Sequence, residues 1–208
     1  MILHEVCGRE DHPAYQRLAV ANLDRQYDFL RSIVVAALDV NRPYLSQTVI
    51  KALNFHAITC LHANAGEYRP CAVDVGHGES KYEPPAHFRV QALMDDFINE
   101  VNRWWERLDP VLQAAYVLWR LNWIHPFING NGRTARVTCY YVLCLRMGGW
   151  LPGATLLPDL IRQNRGEYVL ALKKADASFS NGQFDLSALH SLLERLLNEQ
   201  INSAGGGP

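Results

Sequence analysis

The chain lacks the features that mark several protein classes. No apolar run is long enough to span a bilayer, and the net charge of −1 gives no electrostatic argument for a nucleic acid or an anionic membrane surface. The five cysteines form no Cys-x-x-Cys pair, which argues against structural zinc. Polar residues follow Met1 too early for a secretion signal. These absences predict a cytoplasmic, reducing location with no nucleic-acid or membrane partner.

The composition is that of a compact domain. Of the 208 residues, 49% are hydrophobic and 20% are charged, which is enough to bury a sizeable core. No internal repeat and no linker divides the chain. We expect an N-terminal extension over residues 1–24 that packs on the core, a single domain over 25–200, and a loose glycine-rich tail over 201–208.

Apolar residues recur at helical spacing along most of the chain. One helix is predicted around Leu23 to Leu38, and a second begins after Ser46, a typical N-cap. A third helix follows Val90, and Asp109 followed by proline indicates the start of a fourth. A fifth begins near Gly132 and ends at Gly148-Gly149, where glycine suits a left-handed C-terminal cap. Two more are expected, over residues 157–175 and 185–200.

The stretch 71–85 departs from helical spacing. Apolar and polar residues alternate, glycines supply a turn, and Pro84-Pro85 ends the pattern. These residues predict a β-hairpin, which from pattern alone is best interpreted as a surface connection between helices. The candidate hairpin residues are Val73, Asp74, Val75, Gly76, Lys81 and Tyr82.

The most informative segment runs from His125 to Arg136. Gly130 and Gly132 allow a positive φ and close approach to a ligand, and the helix after them presents free N–H groups and a positive dipole end. Arg133 and Arg136 are three residues apart, so they share one side of the first turn and can bind phosphate oxygens. His125 can take a proton near neutral pH. A base beside a phosphate site predicts transfer of a phosphorus-containing group to a nucleophile.

This segment resembles the signature of the Fic (Fic/Doc) family, His-Pro-Phe-x-Asp/Glu-Gly-Asn-Gly-Arg-x-x-Arg. Eleven of its twelve positions agree, counting the free ones, and Asn129 is the departure. Residues 66–69, 82–85 and 165–172 are also similar to family elements in the usual order. The resemblance covers about residues 25–200. It implies a mostly α fold, a Fic-type helical bundle with one β-hairpin flap beside the active-site loop.

The resemblance also implies an activity and a role for each matching residue. The family transfers AMP from ATP to a Ser, Thr or Tyr hydroxyl of a target protein, and His125 would be the catalytic base. Phe127 would anchor the loop, and the flap would align the target by strand addition. Asn131 would offer side-chain donors to the phosphates, Arg133 would bind the β- and γ-phosphates, and Arg136 would make a second contact. The expected nucleotide-binding residues are Gly130, Asn131, Gly132, Arg133, Arg136, Tyr140 and Tyr168. Tyr141 is a further candidate for the base pocket, and core packing is favoured for at least one of Tyr140 and Tyr141.

Asn129 stands where the family pattern has a carboxylate that holds Mg²⁺. A carboxamide offers a carbonyl oxygen without charge, so Mg²⁺ binding should be weaker, with the triphosphate supplying most of the ligands. Three interpretations follow: a nucleotidyltransferase with weaker metal dependence, a relative that transfers phosphate, phosphocholine or another nucleotide, or a nucleotide- or partner-binding module without activity. The presence of His125, Asn131, Arg133 and Arg136 together favours the first.

Many Fic proteins are restrained by an internal glutamate in the pattern Ser/Thr-x-x-x-Glu. No Ser or Thr of this chain is followed by Glu at the fourth position. Arg136 therefore lacks the usual internal partner. The sequence predicts either constitutive nucleotide binding or inhibition by a separate antitoxin-like protein.

Overall fold

The computed structural model describes residues 1–41, 43–76 and 82–204 and is mostly α-helical, as predicted. Within these ranges the regular elements are helices, and the only β pairing joins Val75 to Tyr82. The helices are α1 (Leu3–Cys7), α2 (Pro13–Asp39), α3 (Gln47–Ile58), α4 (Val90–Arg103), α5 (Pro110–Ile124), α6 (Asn131–Arg146), α7 (Leu157–Gln163), α8 (Arg165–Ser180) and α9 (Ser187–Asn202).

The predicted helix ends are confirmed by their capping bonds. The Ser46 hydroxyl accepts the Val49 N–H at 3.2 Å at the start of α3. The Asp109 carboxylate accepts the Leu112 N–H at 2.9 Å at the start of α5. Gly148 adopts φ +78° after α6, and the N–H of Gly149 reaches back to the Cys144 carbonyl at 2.9 Å. These short-range bonds satisfy backbone groups that a helix end leaves unpaired.

Helix α6 lies at the centre of the molecule. Twelve of its sixteen residues are buried, and it packs against α5 as well as α2, α3 and α7. Cys139 and Cys144 are buried in this helix, as expected for free thiols that pack as apolar residues. Burial raises the pKa of the Cys144 thiol to about 11, so it stays protonated. The helix that begins the signature loop is therefore fixed by the core on most of its surface.

Two predicted boundaries differ in the structure. The helix over 157–175 is interrupted at Asn164, whose side-chain amide donates to the Leu160 carbonyl at 2.9 Å, so α7 and α8 are separate. Helix α2 starts at Pro13 and runs through residue 24, so the expected extension shares a helix with the predicted domain. The expected tail falls partly on the last turn of α9 and partly on residues 205–208, which lie outside the described residues.

The N-terminal segment packs over the end of α3. The N–H groups of Leu3 and His4 donate to the carbonyls of Cys60 and Leu61, at 2.9 and 3.0 Å. Leu3, Tyr15 and Leu61 form a small apolar cluster separate from the main core. This packing brings residues 1–15 towards the loop that precedes α6. Among the described residues no helix is long and apolar enough to cross a membrane.

The predicted hairpin is only partly described. Val75 and Tyr82 form an antiparallel pair through two backbone hydrogen bonds of 3.3 and 2.8 Å. Residues 77–81, which include Lys81, lie outside the described residues. The pair joins the two stretches that were predicted as strands, while a full hairpin flap stays a prediction.

Candidate active site

His125 occupies the residue directly after α5. Its backbone is left-handed, with φ +52° and ψ +59°, and its N–H closes the helix on the Leu121 carbonyl at 3.0 Å. The pKa of the imidazole is lowered to about 4, mainly by burial and also by the charge of Arg69. A hydrogen bond to the Asn122 backbone raises the pKa and offsets part of this shift. The imidazole is therefore neutral at pH 7 and able to accept a proton.

Arg69 holds the backbone of the His125 loop. Its Nε donates to the His125 carbonyl at 2.8 Å, and its own N–H donates to the Pro126 carbonyl at 2.8 Å. Its two Nη groups donate to the carbonyls of Cys71 and Pro85, at the two ends of the predicted hairpin. The side chain is buried, and sequence analysis gave it no role. One guanidinium thus joins the catalytic loop to the base of the flap.

Asn131 closes the turn from the other side. Its Oδ1 accepts the Phe127 N–H at 2.9 Å and its Nδ2 donates to the Phe127 carbonyl at 2.8 Å. The ring of Phe127 is fully buried, in line with the anchor that was predicted. Only one of the two Nδ2 hydrogens is used by the Phe127 carbonyl. Donation of the Asn131 side chain to phosphates therefore stays a prediction, and its backbone N–H is a further donor.

The two glycines of the turn serve different purposes. Gly130 adopts φ +75°, and a Cβ there would lie 2.7 Å from Cγ2 of Ile58, so both conformation and space require glycine. Gly132 does not adopt a positive φ, which corrects the expectation for that residue. A Cβ on Gly132 would lie 3.3 Å from Nη1 of Arg136. Gly132 therefore leaves room for the Arg136 side chain to fold back over the first turn.

The first turn of α6 presents free donors beside the loop. The N–H of Thr134 bonds to the Gly130 carbonyl, whereas the N–H groups of residues 131–133 bond to no described residue. Unpaired N–H groups and the helix dipole make such an end a site for anions. Asn54 of α3 supports this turn, since its Nδ2 donates to the Asn129 carbonyl at 3.0 Å and to the Thr134 hydroxyl at 3.2 Å.

The two arginines differ in what already binds them. Arg133 donates to the Ala57 carbonyl at 3.0 Å and to Oδ1 of Asn129 at 3.1 Å. Arg136 makes no hydrogen bond or ion pair with the residues that the structure describes, and Tyr168 and Tyr27 lie close enough to act on its charge. Burial lowers the pKa of both guanidiniums, which nonetheless remain charged at neutral pH. The structure therefore leaves Arg136, more than Arg133, available to an anionic ligand.

Asn129 binds the N-terminal segment. Its Nδ2 donates to Oε1 of Glu10 at 2.9 Å, and the same oxygen lies 3.2 Å from Nε2 of His62. The Tyr15 hydroxyl lies 2.8 Å from the same ring nitrogen of His62. Burial lowers the pKa of His62. Sequence analysis missed Glu10 and His62, because no local pattern connects residues that are 119 and 67 positions from Asn129.

Two tyrosines were expected to line a nucleotide pocket. Tyr140 is fully buried, donates to the Leu151 carbonyl at 3.2 Å and accepts from Nε2 of Gln200 at 2.8 Å. It is a core residue, which corrects the expectation. Tyr168 lies beside Arg136 but is itself buried, and its hydroxyl accepts from Nδ2 of Asn122 at 2.9 Å. Tyr168 thus supports the edge of the site and offers little surface to a ligand.

The paired residues of the predicted flap are tied to the catalytic loop. The Tyr82 hydroxyl donates to the Trp123 carbonyl at 2.6 Å, two residues before His125. Burial raises the pKa of that hydroxyl. Val73 and Val75 are half-buried, and Asp74 and Gly76 are exposed. The role of this pair in aligning a target segment stays a prediction.

Comparison with known proteins identifies the loop and its helices. Residues 44–143, which contain the whole signature, match the model of the Fic/DOC family. This chain belongs to that family. A protein adenylyltransferase Fic from Nematostella vectensis is 31% identical over 166 residues, which cover 76% of the chain and 34% of that protein. A protein of the same name from Drosophila persimilis is 29% identical over 161 residues, covering 76% of the chain and 28% of the relative.

Solved Fic structures share the fold. Fic-1 (residues 134–508) from C. elegans superposes with a TM-score of 0.70 at 23% identity, over 90% of the chain and 50% of that structure. A Fic domain containing signaling protein from Bacteroides thetaiotaomicron gives a TM-score of 0.70 at 23% identity. The match covers 92% of the chain and 75% of that structure. The chain spans about a third of the length of the curated Fic relatives that it matches.

Proposed function

We propose that this Fic protein is a protein adenylyltransferase that transfers AMP from ATP to a hydroxyl side chain of a target protein. The observation that carries the proposal is a neutral His125 held at the end of α5, next to the free N–H groups of α6 and the unpaired Arg136. The names of the curated relatives support the same activity.

The geometry assigns a task to each part of the site. The N–H groups of residues 131–133 and the Arg136 guanidinium bind phosphate oxygens of ATP. His125 takes the proton of the target hydroxyl as its oxygen attacks the α-phosphorus. The bond from the α-phosphorus to the bridging oxygen breaks, and pyrophosphate leaves. The Val75–Tyr82 pair, bonded to Trp123, brings the target segment to His125 by strand addition.

The residues present do not build a protein-held metal site. Among the residues that the structure describes, no group of three or more His, Cys, Asp or Glu side chains converges. Asn129 carries no charge, and its carbonyl oxygen already accepts a hydrogen bond from Arg133. Mg²⁺ in this proposal arrives with ATP and is bound chiefly by phosphate oxygens, with Asn129 as a weak additional ligand. No step of the transfer is assigned to the protein's own metal.

Labelled ATP tests the proposal. The purified protein and a cell lysate are incubated with ATP labelled on the α- or the γ-phosphate, beside a His125→Ala variant. We expect α-label on a protein target, none from the γ-label, and no transfer by His125→Ala at unchanged ATP affinity. Transfer of the γ-label would indicate phosphate transfer. ATP binding without transfer of either label, or of phosphocholine from CDP-choline, would indicate a binding module.

The same site bears on control of the activity. An unpaired Arg136 predicts that the isolated protein binds ATP without activation, or that a separate antitoxin-like protein supplies the carboxylate that pairs with it. We place both proteins in the cytoplasm, in line with the composition. Calorimetric titration of the isolated chain with ATP tests whether it binds the nucleotide without activation. Absence of binding by the isolated chain, together with binding after one terminal helix is removed, would instead indicate an internal inhibitor.

A further inference from the structure

A cavity beside α5 is lined by none of the residues of the signature loop. Its volume is about 460 Å³, within the range of small-molecule pockets. The walls are mainly apolar and aromatic. They come from α4 and α5 with the segment between them, and from the end of α8 and the segment that joins it to α9. Five aromatic side chains line it: Trp104, Tyr116, Trp119, Phe179 and Phe184.

Arg120 is the charged donor of this cavity. It lines the wall and is only 9% exposed. Its Nε and Nη1 are buried without a hydrogen-bond partner, and no carboxylate of the described residues lies within ion-pair distance. The guanidinium instead lies over aromatic rings, 4.5 Å from the centroid of Trp123 and 5.5 Å from that of Phe179.

Two carboxylates of this region already accept hydrogen bonds from other residues. Oδ1 of Asp176 accepts from Nε1 of Trp119 at 2.8 Å. Glu100, which also lines the cavity, accepts a hydrogen bond from the Tyr116 hydroxyl. The aromatic rings compensate part of the cost of a buried charge but accept no N–H bond in the plane of the guanidinium. Arg120 therefore has two enclosed donors without an acceptor, and neighbouring side chains must shift for a ligand in the cavity to reach them.

We propose that this cavity binds a small aromatic carboxylic acid, with its carboxylate on the guanidinium of Arg120 and its ring among the aromatic walls. A planar carboxylate matches the paired donors of a guanidinium, which a point anion does not. The apolar walls select a ligand with a ring, since an ion such as phosphate would leave them without a partner. This site is separate from the ATP site and does not rest on the proposed transferase activity.

Three indole probes of nearly equal shape test the proposal by calorimetry on the full chain. They are indole-3-acetate, its uncharged amide indole-3-acetamide, and the cationic tryptamine. We expect the acid to bind at least tenfold more tightly than the amide, and tryptamine to bind least. Equal affinity for acid and amide would overturn the role of Arg120. Tighter binding of tryptamine would show that Glu100 dominates, and no binding of any probe at millimolar concentration would remove the site.

Substitutions distinguish the contribution of the Arg120 charge to binding from a general effect on packing. Arg120→Met should bring the acid to within about twofold of the amide while leaving amide binding unchanged. Arg107→Met is the matched control, because Arg107 lies over the ring of Trp104 but is exposed, and it should preserve the preference for the acid. Leu112→Trp fills the cavity and should abolish binding of both probes. This variant tests the site independently if Arg120→Met fails to fold. Retention of the acid preference in Arg120→Met, or of binding in Leu112→Trp, would contradict the proposal.

Discussion

The imidazole of His125 is neutral over a wider pH range than an exposed histidine. Its pKa falls from 6.5 to about 4 because burial disfavours the charged form. A proton therefore binds the unfolded chain more readily than the folded one. The contribution of this group to stability is complete above pH 6.5 and is lost as the pH falls from 6.5 towards 4.

This shift is checked by an NMR titration of the histidine side chains. We expect the His125 resonance, assigned by its loss in His125→Ala, to titrate with a midpoint near 4. The free energy of unfolding of the wild type should also fall more steeply than that of His125→Ala between pH 6.5 and 4. A midpoint near 6.5 would show that the loop is more open than the structure has it.

The two arginines of the signature should respond unequally to substitution. Arg136 has no partner among the described residues, whereas Arg133 is bonded to Ala57 and Asn129. We expect Arg136→Ala to weaken ATP binding about tenfold to a hundredfold, from a charge-assisted bond worth roughly 1.5–3 kcal/mol, with a smaller effect on AMP. Arg133→Ala should mainly lower the melting temperature. Calorimetry measures the ATP affinity of both variants, and thermal unfolding measures their stability. A larger loss of ATP affinity in Arg133→Ala than in Arg136→Ala would support the phosphate-binding role that the sequence first suggested for Arg133.

At the scale of the element, the turn between α5 and α6 depends on one glycine. Gly130→Ala adds strain at φ +75° and places a methyl 2.7 Å from Ile58. We expect a loss of about 2–4 kcal/mol in the free energy of unfolding, the sum of strain and overpacking. Gly148→Ala is the matched control, since Gly148 adopts φ +78° with nothing within 4 Å, and should cost about 1 kcal/mol. Equal losses in denaturant unfolding would mean that the contact with Ile58 relaxes freely.

Local patterns account for most of the elements that were predicted. The caps at Ser46, Asp109 and Gly148 depend on bonds spanning three to five residues, so sequence alone could place them. The break at Asn164 was missed because apolar spacing continues through it. Tyr140 was assigned to a pocket because its position in the helix follows the signature, but only the distant Gln200 and Leu151 show that it faces the core.

The same distinction holds across the whole molecule. The contiguous signature loop could be predicted from a dozen residues. Its supports could not, because Arg69, Asn54 and Glu10 lie 56 or more positions from the signature residues that they bind. A buried asparagine on the apolar face of α3 was the one local signal available for Asn54. The sequence around Glu10 is typical of an exposed residue and gave no signal of its contact with Asn129.

The docking of the N-terminal segment gives a prediction at this scale. Asn129→Asp restores the carboxylate of the family pattern but faces the Glu10 carboxylate across a 2.9 Å contact. We expect the segment to loosen, with several-fold faster hydrogen exchange at the N–H groups of Leu3 and His4. Adding Glu10→Gln should restore their protection, because the glutamine amide can donate to the aspartate. Unchanged exchange in Asn129→Asp would show that α1 is held without the Glu10 contact.

The burial of α6 has a consequence for how a ligand is received. Because twelve of its residues are enclosed by four other helices, its first turn cannot rearrange without disturbing the core. The donors that face the ligand are therefore ordered when the chain folds, and little conformational entropy remains to be lost when a ligand binds. Order parameters of the N–H groups of residues 131–133 should accordingly be high in the free protein and change little on addition of ATP. The adjustment on binding would fall to the ligand and to the side chains at the rim of the site.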